Sequence, residues 1–186
     1  AAGGIAAVSL PVLWFFVMNT DQKNRILALF DPDNFTDIIY QQYRGQTAIG
    51  SGGLFGYGLF NGPYVQDGKI PLGFNDFIFA SVGEELGFIG CLLAIGLITA
   101  ICFRILKVAR KSRDKAGKII CTGVFAMFAG QFIINIGMVL SFLPVIGVTL
   151  PFFSAGGTST VCLYLGIGLV LSVYCHRNIK PIVLGE

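Results

Sequence analysis

Four apolar stretches alternate with polar segments along this chain. They cover roughly residues 3–18, 77–103, 119–142 and 158–175. A membrane-crossing helix needs about 20 predominantly apolar residues, so the pattern predicts an all-α polytopic membrane protein with four transmembrane helices in a single membrane domain. The chain begins inside its first apolar run, without the features of a signal peptide. We therefore expect it to be a piece of a longer protein.

The composition supports a membrane protein, and the charge pattern sets its orientation. The chain is 54% hydrophobic and 12% charged, with a mean hydropathy of +0.75, whereas soluble domains carry about 25% charged residues. Seven of the 13 basic residues lie in 104–118, and such clusters stay in the cytoplasm. The prediction is a cytoplasmic loop 104–118 and tail 176–186, with external loops 19–75 and 143–157.

The long external segment 19–75 is predicted to contain short helices. Asp21 is a candidate cap for a first helix that Pro32 ends, and a second helix is predicted from Thr36 to Arg44, with Gly45 as its C-terminal glycine. Five glycines follow within the nine residues from Gly50 to Gly58.

Two interpretations of this glycine-rich segment stay open. Glycine backbone can approach a ligand or a neighbouring chain closely. No Gly-Lys-Ser/Thr motif follows it, so no nucleotide cofactor is expected. The segment is either a tightly packed external loop or a contact for a lipid-linked phosphate. A second Gly/Ser/Thr cluster, 151–160, is either a small-residue helix contact or a wall of a site.

Three carboxylates begin the second apolar stretch. Asp76 lies at its outer end, and Glu84 and Glu85 lie within it. Ionisable groups at membrane depth are costly, so each is a functional candidate. Asn75 or Asp76 could also be a simple helix cap. For Glu84 and Glu85 we favour a hydrogen-bonded helix lock over a proton path, with Gln131 and Asn135 as candidate partners.

The residues resemble the SEDS family of bacterial membrane proteins (shape, elongation, division and sporulation), of the RodA, FtsW and SpoVE type. The similarity is carried by the following segments, in this order: Arg25–Leu27, Phe30–Pro32, Tyr40-Gln41, Ala48–Leu54, Asp76–Ala80, Glu84–Gly87, Pro151-Phe152 and Ser154–Thr158.

The resemblance implies a fold of roughly ten membrane helices, of which this chain would supply the last four and a large external loop. It implies a peptidoglycan glycosyltransferase that polymerises lipid II at the outer face of the bacterial cytoplasmic membrane, with a class B penicillin-binding protein as partner. Asp76 matches the catalytic aspartate. The candidate substrate-binding residues are Gln41, Arg44, Ser51, Gly52, Gly53, Lys69, Ser154, Gly156 and Gly157.

The chemistry of such a reaction agrees with this interpretation. A sugar hydroxyl that attacks an anomeric carbon needs a general base, and the pyrophosphate leaving group needs positive charge. Asp76 is the candidate base, while Arg25, Arg44, Lys69 or a divalent cation (Mg or Mn) could meet the phosphates. The ligands of such a metal are unknown, and the fragment alone is expected to be inactive.

Two other functions stay open. A flippase for lipid-linked precursors would use Glu84 and Glu85 along a polar path, and a non-catalytic cell-division scaffold would recruit partners through residues 19–75. The role in elongation, division or sporulation is not distinguished.

Overall fold

The computed structural model describes residues 18–31, 34–68 and 75–176, and every regular element in these ranges is helical. The predicted span 3–18 lies, apart from Met18, outside the described residues. The helices are α1 (Thr20–Leu27), α2 (Thr36–Ser51), α3 (Pro63–Gln66), α4 (Ile78–Lys111), α5 (Lys115–Val139) and α6 (Gly157–His176).

Three of these helices, α4, α5 and α6, are long and apolar enough to cross a membrane. They correspond to the last three predicted spans, which confirms the all-α membrane class. Helices α4 and α5 form a hairpin whose connection is only Ser112–Asp114, because the basic residues from Arg104 to Lys111 continue α4 as helix. Asp114 caps α5 by accepting a hydrogen bond from the Gly117 N–H at 3.3 Å.

The first two helices differ in detail from the prediction. Helix α1 begins one residue before Asp21, and Asn19 takes the N-cap position, where its N–H donates to the Gln22 side chain at 3.1 Å. Helix α2 does not end at Gly45 but continues to Ser51. Gly45 lies inside α2, where a Cβ would be 3.1 Å from the Phe77 ring. The glycine therefore serves close packing against α4 rather than helix termination.

Helix α4 is broken at Gly87, which has φ 66° and ψ −165°. Asn135 bonds to the Asp76 carbonyl, and it lies about 30 Å along α5 from Lys115 at about 1.5 Å per residue. An unbroken helix from Asp76 to Lys111 would measure about 52 Å. Because the two helices are joined at their other ends, the first part of α4 cannot continue along the axis of its second part, and the break at Gly87 changes its direction.

The end of α5 and the segment 140–156 that follows it are held by side chains from two other helices. Gln42 of α2 is buried and donates to the Met138 and Leu143 carbonyls at 2.8 and 2.9 Å. The Arg25 guanidinium of α1 donates to the Val145 carbonyl at 2.7 Å. These bonds give hydrogen-bond partners to main-chain carbonyls at the end of α5 and in the irregular segment that follows it.

Candidate functional site

Asp76 lies where the start of α4 meets α5 and the segment 140–156. Its main-chain carbonyl accepts a hydrogen bond from the Asn135 side-chain amide at 2.7 Å. The carbonyl of the preceding residue, Asn75, accepts from the Ser154 hydroxyl at 2.7 Å. The next residue, Phe77, is fully buried in the core. The main chain is therefore fixed at Asp76 and at the residues before and after it.

The Asp76 carboxyl group, unlike its main chain, is not engaged by the described residues. It is half-buried, and burial raises the pKa of this carboxyl above its ordinary value. Gly147 lies beside it, since a Cβ on this glycine would be 3.3 Å from Asp76 Oδ2. Among the described residues, no side chain or N–H forms a hydrogen bond with the carboxyl oxygens. Phe77 occupies the N-cap position of α4 without a side-chain capping bond, so the helix-cap interpretation of Asn75 and Asp76 is not supported.

Glu84 is fully buried, and both of its carboxyl oxygens accept hydrogen bonds from the start of α3. The Tyr64 N–H donates to Oε1 at 2.6 Å, and the Val65 N–H donates to Oε2 at 3.0 Å. Gly62 packs against this carboxyl, since a Cβ there would lie 2.8 Å from its carbon. The predicted partners Gln131 and Asn135 are not those of Glu84: the carboxyl binds the backbone at the start of α3 instead. Its functional role stays a prediction, as does that of the half-buried Glu85 beside it.

The glycine-rich segment pairs with the break in α4. A positive-φ residue at Gly87 leaves backbone groups on either side of it without helical partners. Four hydrogen bonds to the segment 53–58 satisfy them: Tyr57 N–H to the Glu84 carbonyl at 3.0 Å, Gly58 N–H to the Glu85 carbonyl at 2.9 Å, Phe88 N–H to the Gly53 carbonyl at 2.9 Å, and Ile89 N–H to the Leu54 carbonyl at 3.2 Å.

Glycine is required where these two backbones meet. A Cβ on Gly52 would lie 2.1 Å from the Gly83 carbonyl oxygen, and one on Gly56 would lie 2.2 Å from the Glu85 carbonyl oxygen. No side chain fits at such distances. The structure thus favours the interpretation of this segment as a tightly packed loop, with its close approach directed at protein backbone.

The candidate cations occupy different surroundings. The Arg44 guanidinium is half-buried and lies 4.8 Å from the centroid of the Tyr40 ring, in a cation–π contact. Arg25 is engaged with the Val145 carbonyl, in a cleft of about 540 Å³ between α1 and residues 144–146. Lys69 lies outside the described residues.

The other predicted substrate-binding residues fall into two groups. Ser154, Gly156 and Gly157 lie near the Asp76 segment or at the start of α6. Besides donating to Asn75, the Ser154 hydroxyl accepts from the Leu150 N–H at 2.7 Å. Ser51, Gly52 and Gly53 lie at the break in α4, where the Ser51 hydroxyl donates to the Ala48 carbonyl at 2.7 Å. Gln41 is half-buried. A role in binding substrate stays a prediction for all of them.

Sequence reasoning missed several residues that build the site. Asn135 was noted as polar, but not as a neighbour of Asp76, and Gln42 was overlooked beside Gln41. Gly147 and Gly87 carry no signal beyond being glycines in apolar surroundings. The two amides in the apolar helix α5, Gln131 and Asn135, were the available clue, because buried amides require hydrogen-bond partners.

The fold and the Asp76 carboxyl define a membrane protein with a candidate acid–base site at one end of its helical bundle. A family model described as "Cell cycle protein", covering FtsW, RodA and SpoVE, matches residues 2–179. The chain belongs to this family, and it is a multi-pass membrane protein.

Relatives with assigned names support the same placement. The chain is 37% identical over 177 residues, 94% of its length, to the peptidoglycan glycosyltransferase MrdB of Escherichia coli K12. It is 34% identical over 180 residues to the probable peptidoglycan glycosyltransferase FtsW of Geobacter metallireducens, covering 96% of this chain. It covers 47% and 48% of these relatives, so it spans about half the length of the curated proteins it matches.

A solved structure shares the fold. The match has a TM-score of 0.69 and 26% sequence identity, and it covers 96% of this chain and 49% of the other. That chain comes from a study of a peptidoglycan synthase complex that coordinates polymerization and crosslinking.

Proposed function

We propose that the full-length protein polymerises peptidoglycan glycan strands from lipid II, an undecaprenyl-pyrophosphate-linked disaccharide peptide. Relatives at 37% and 34% identity are named peptidoglycan glycosyltransferases. The observation that carries the proposal is the Asp76 carboxyl, which lies at the end of the bundle beside Gly147 while its backbone is fixed by Asn135 and Ser154.

In the proposed reaction, Asp76 is the general base. Its carboxylate takes the proton of the acceptor sugar hydroxyl as the hydroxyl oxygen forms a bond to the donor's anomeric carbon. The bond from that carbon to the pyrophosphate oxygen breaks, and the lipid pyrophosphate leaves with the electron pair. A single displacement inverts the anomeric centre, so an α-linked donor gives a β-linked product. The raised pKa of Asp76 makes its carboxylate a stronger base than an exposed aspartate.

Positive charge for the leaving pyrophosphate is proposed to come from Arg44 and Lys69, with further cations from the rest of the protein. Arg25 is a weaker candidate because the Val145 carbonyl already engages it. A divalent cation, Mg or Mn, stays a proposal. The described residues contain no group of three or more His, Cys, Asp or Glu side chains that could bind one. Any such ion would need ligands beyond Asp76 from elsewhere, and no step here depends on it.

The proposed setting is the outer face of the bacterial cytoplasmic membrane, with the C-terminus in the cytoplasm. A class B penicillin-binding protein is the proposed partner. Its support is that the structurally similar chain belongs to a peptidoglycan synthase complex. The transporter alternative has less support, because Glu84, one of its two candidate path residues, binds the backbone N–H groups of Tyr64 and Val65.

The test is polymerisation of purified lipid II by the full-length protein with its partner, followed on gels. Asp76→Asn keeps the size of the side chain but removes the proton acceptor, and general-base catalysis contributes about 10²–10⁴-fold in rate. We expect polymerisation to fall by at least that factor while expression and partner binding persist. A well-expressed Asp76→Asn protein that polymerises at the wild-type rate would remove the catalytic assignment.

A further inference from the structure

Two consecutive main-chain carbonyls at the proposed base are held by two side chains from different parts of the chain. The Asn135 amide of α5 donates to the Asp76 carbonyl at 2.7 Å, and the Ser154 hydroxyl donates to the Asn75 carbonyl at 2.7 Å. Each side chain also binds the segment that carries Gly147. Asn135 donates to the Val148 carbonyl at 2.6 Å, and Ser154 accepts from the Leu150 N–H at 2.7 Å.

The placement of Asn135 is costly for a membrane helix. Its side chain is fully buried, and its Oδ1 atom has no hydrogen-bond partner among the described residues. An apolar residue would avoid the penalty for burying an unpaired amide oxygen. The amide orientation is fixed by chemistry, because both neighbouring carbonyls are acceptors and only the NH₂ group can serve them. What the residue provides is the connection of Asp76 to Val148.

The start of α4 needs such support. Phe77 holds the N-cap position without a side-chain capping bond, and the Asp76 carboxyl has no hydrogen bond from the described residues. Its direction therefore depends on the backbone at 75 and 76. Displacement of a catalytic group by about 1 Å can cost about 10²-fold in rate.

We propose that Asn135 and Ser154 are positioning residues that act through Asp76. Together they clamp its backbone to the 147–150 segment, so that the carboxyl faces Gly147 at a fixed distance. The proposal rests on the function proposed above. It also gives Ser154 a role different from the substrate contact that the family resemblance implies.

The experiment uses the full-length protein with its partner and purified lipid II. The variants are Asn135→Leu, Ser154→Ala and the double variant, with Gln131→Leu as the matched control. Gln131 lies one helical turn before Asn135 and also has a buried, unpaired side-chain oxygen, but it has no bond to the Asp76 segment. The measurements are kcat and KM for lipid II, the pH dependence of kcat, and thermal unfolding.

We expect each clamp variant to lower kcat about 10- to 100-fold with KM changed less than about threefold, because the base is displaced while substrate contacts remain. The double variant should lose little more than the worse single variant, since both act through one backbone segment. The acid limb of the kcat profile should move to lower pH as the loosened carboxyl becomes hydrated. Gln131→Leu should stay within about twofold of wild type.

Other results would overturn the clamp. A raised KM with unchanged kcat in Ser154→Ala would make Ser154 a substrate contact. Additive losses, or an equal loss in Gln131→Leu, would show independent or general packing effects. If Asn135→Leu does not accumulate, Asn135→Asp takes its place, because it matches the size but turns an acceptor toward both carbonyls. Its full activity would also refute the proposal. Failure of wild type to polymerise lipid II, in contrast, would reject the proposed function itself.

Discussion

A buried carboxylate in an apolar helix need not have a cation as its partner. Both oxygens of Glu84 accept backbone N–H groups from Tyr64 and Val65, and those N–H groups would otherwise lack acceptors at the start of α3. Each group satisfies the other's hydrogen bonding where water is excluded. A carboxylate that binds two backbone donors can therefore fix a loop to a helix, whatever else it does.

Substitution of Glu84 by Gln should loosen the start of α3. Gln has one acceptor oxygen and an NH₂ group, so one of the two N–H groups would face a donor. Leaving a buried donor unsatisfied costs about 1–3 kcal/mol. We expect faster hydrogen exchange at the Tyr64 and Val65 amides and a lower unfolding temperature in the full-length protein.

Glu85→Gln is the control for this change, because its side chain makes no hydrogen bond to the described residues. In this variant the Tyr64 and Val65 amides should exchange hydrogen at the wild-type rate, and the unfolding temperature should be that of wild type. If the Tyr64 and Val65 amides of Glu84→Gln exchange hydrogen as slowly as those of wild type, the carboxylate does not hold α3. Loss of precursor translocation with polymerisation of supplied lipid II intact would instead favour the flippase.

Asp76 predicts a pH dependence for the reaction. Burial raises the pKa of its carboxyl, and only the ionised form accepts a proton. The rate should therefore be highest above this raised pKa and fall as the pH decreases through it. The decline should begin at a higher pH than for an exposed aspartate, whose pKa is about 3.9. The check is kcat/KM for lipid II against pH, and a flat profile down to about pH 4 would contradict it.

At the scale of elements, the break in α4 determines where the glycine-rich segment packs. The break exposes backbone groups of Glu84, Glu85, Phe88 and Ile89, and the glycine-rich segment binds all four. Irregular backbone in a membrane protein is tolerated where protein satisfies it. The segment and the break are therefore one structural unit, although about 30 residues separate them in sequence.

Gly87→Ala should disrupt this unit. Its φ of 66° is unfavourable for residues with a Cβ, at a cost of about 1–3 kcal/mol, and the added methyl carbon would lie 2.4 Å from the Gly56 nitrogen. We expect a lower unfolding temperature and reduced polymerisation. Gly96→Ala is the matched control in the same helix, since a Cβ there meets nothing within 4 Å. Similar behaviour of the two variants would show that the break is not required.

At the scale of the whole molecule, the basic residues at one end of the bundle predict the orientation of the protein in the membrane. They occupy the last two turns of α4 and the first turn of α5, at the opposite end of the hairpin from Asp76. The predicted topology puts these residues in the cytoplasm and therefore Asp76 at the outer end of the bundle, where the proposed reaction takes place.

Cysteine labelling in intact cells tests this orientation. In a background without the five native cysteines, Asp67→Cys should react with an impermeant thiol reagent, and Lys111→Cys should react only after the cells are opened. Replacing the native thiols matters because Cys162 and Cys175 are exposed. Labelling at position 111 without labelling at 67 would reverse the topology and place Asp76 inside the cell.

The sequence by itself determined the membrane class, three spans that the structure contains, the basic cluster and the candidate carboxylates. These features are local: hydropathy over about 20 residues predicts a span, and a charge in an apolar run is visible without knowing its neighbours. The family resemblance was equally accessible, because it depends on the order and spacing of short motifs.

Only the tertiary structure decided which backbone groups meet. In the structure, α2 continues past Gly45 to Ser51, and the glycine-rich segment binds the backbone at the break of Gly87. Glu84 binds the start of α3, and Asn135 binds the Asp76 carbonyl. The last three are contacts between segments far apart in the chain. In each of them at least one partner is a main-chain N–H or carbonyl group, which every residue carries except for the proline N–H. The pattern of side chains does not predict which of these identical main-chain groups form hydrogen bonds with each other. The packing of the helices decides it.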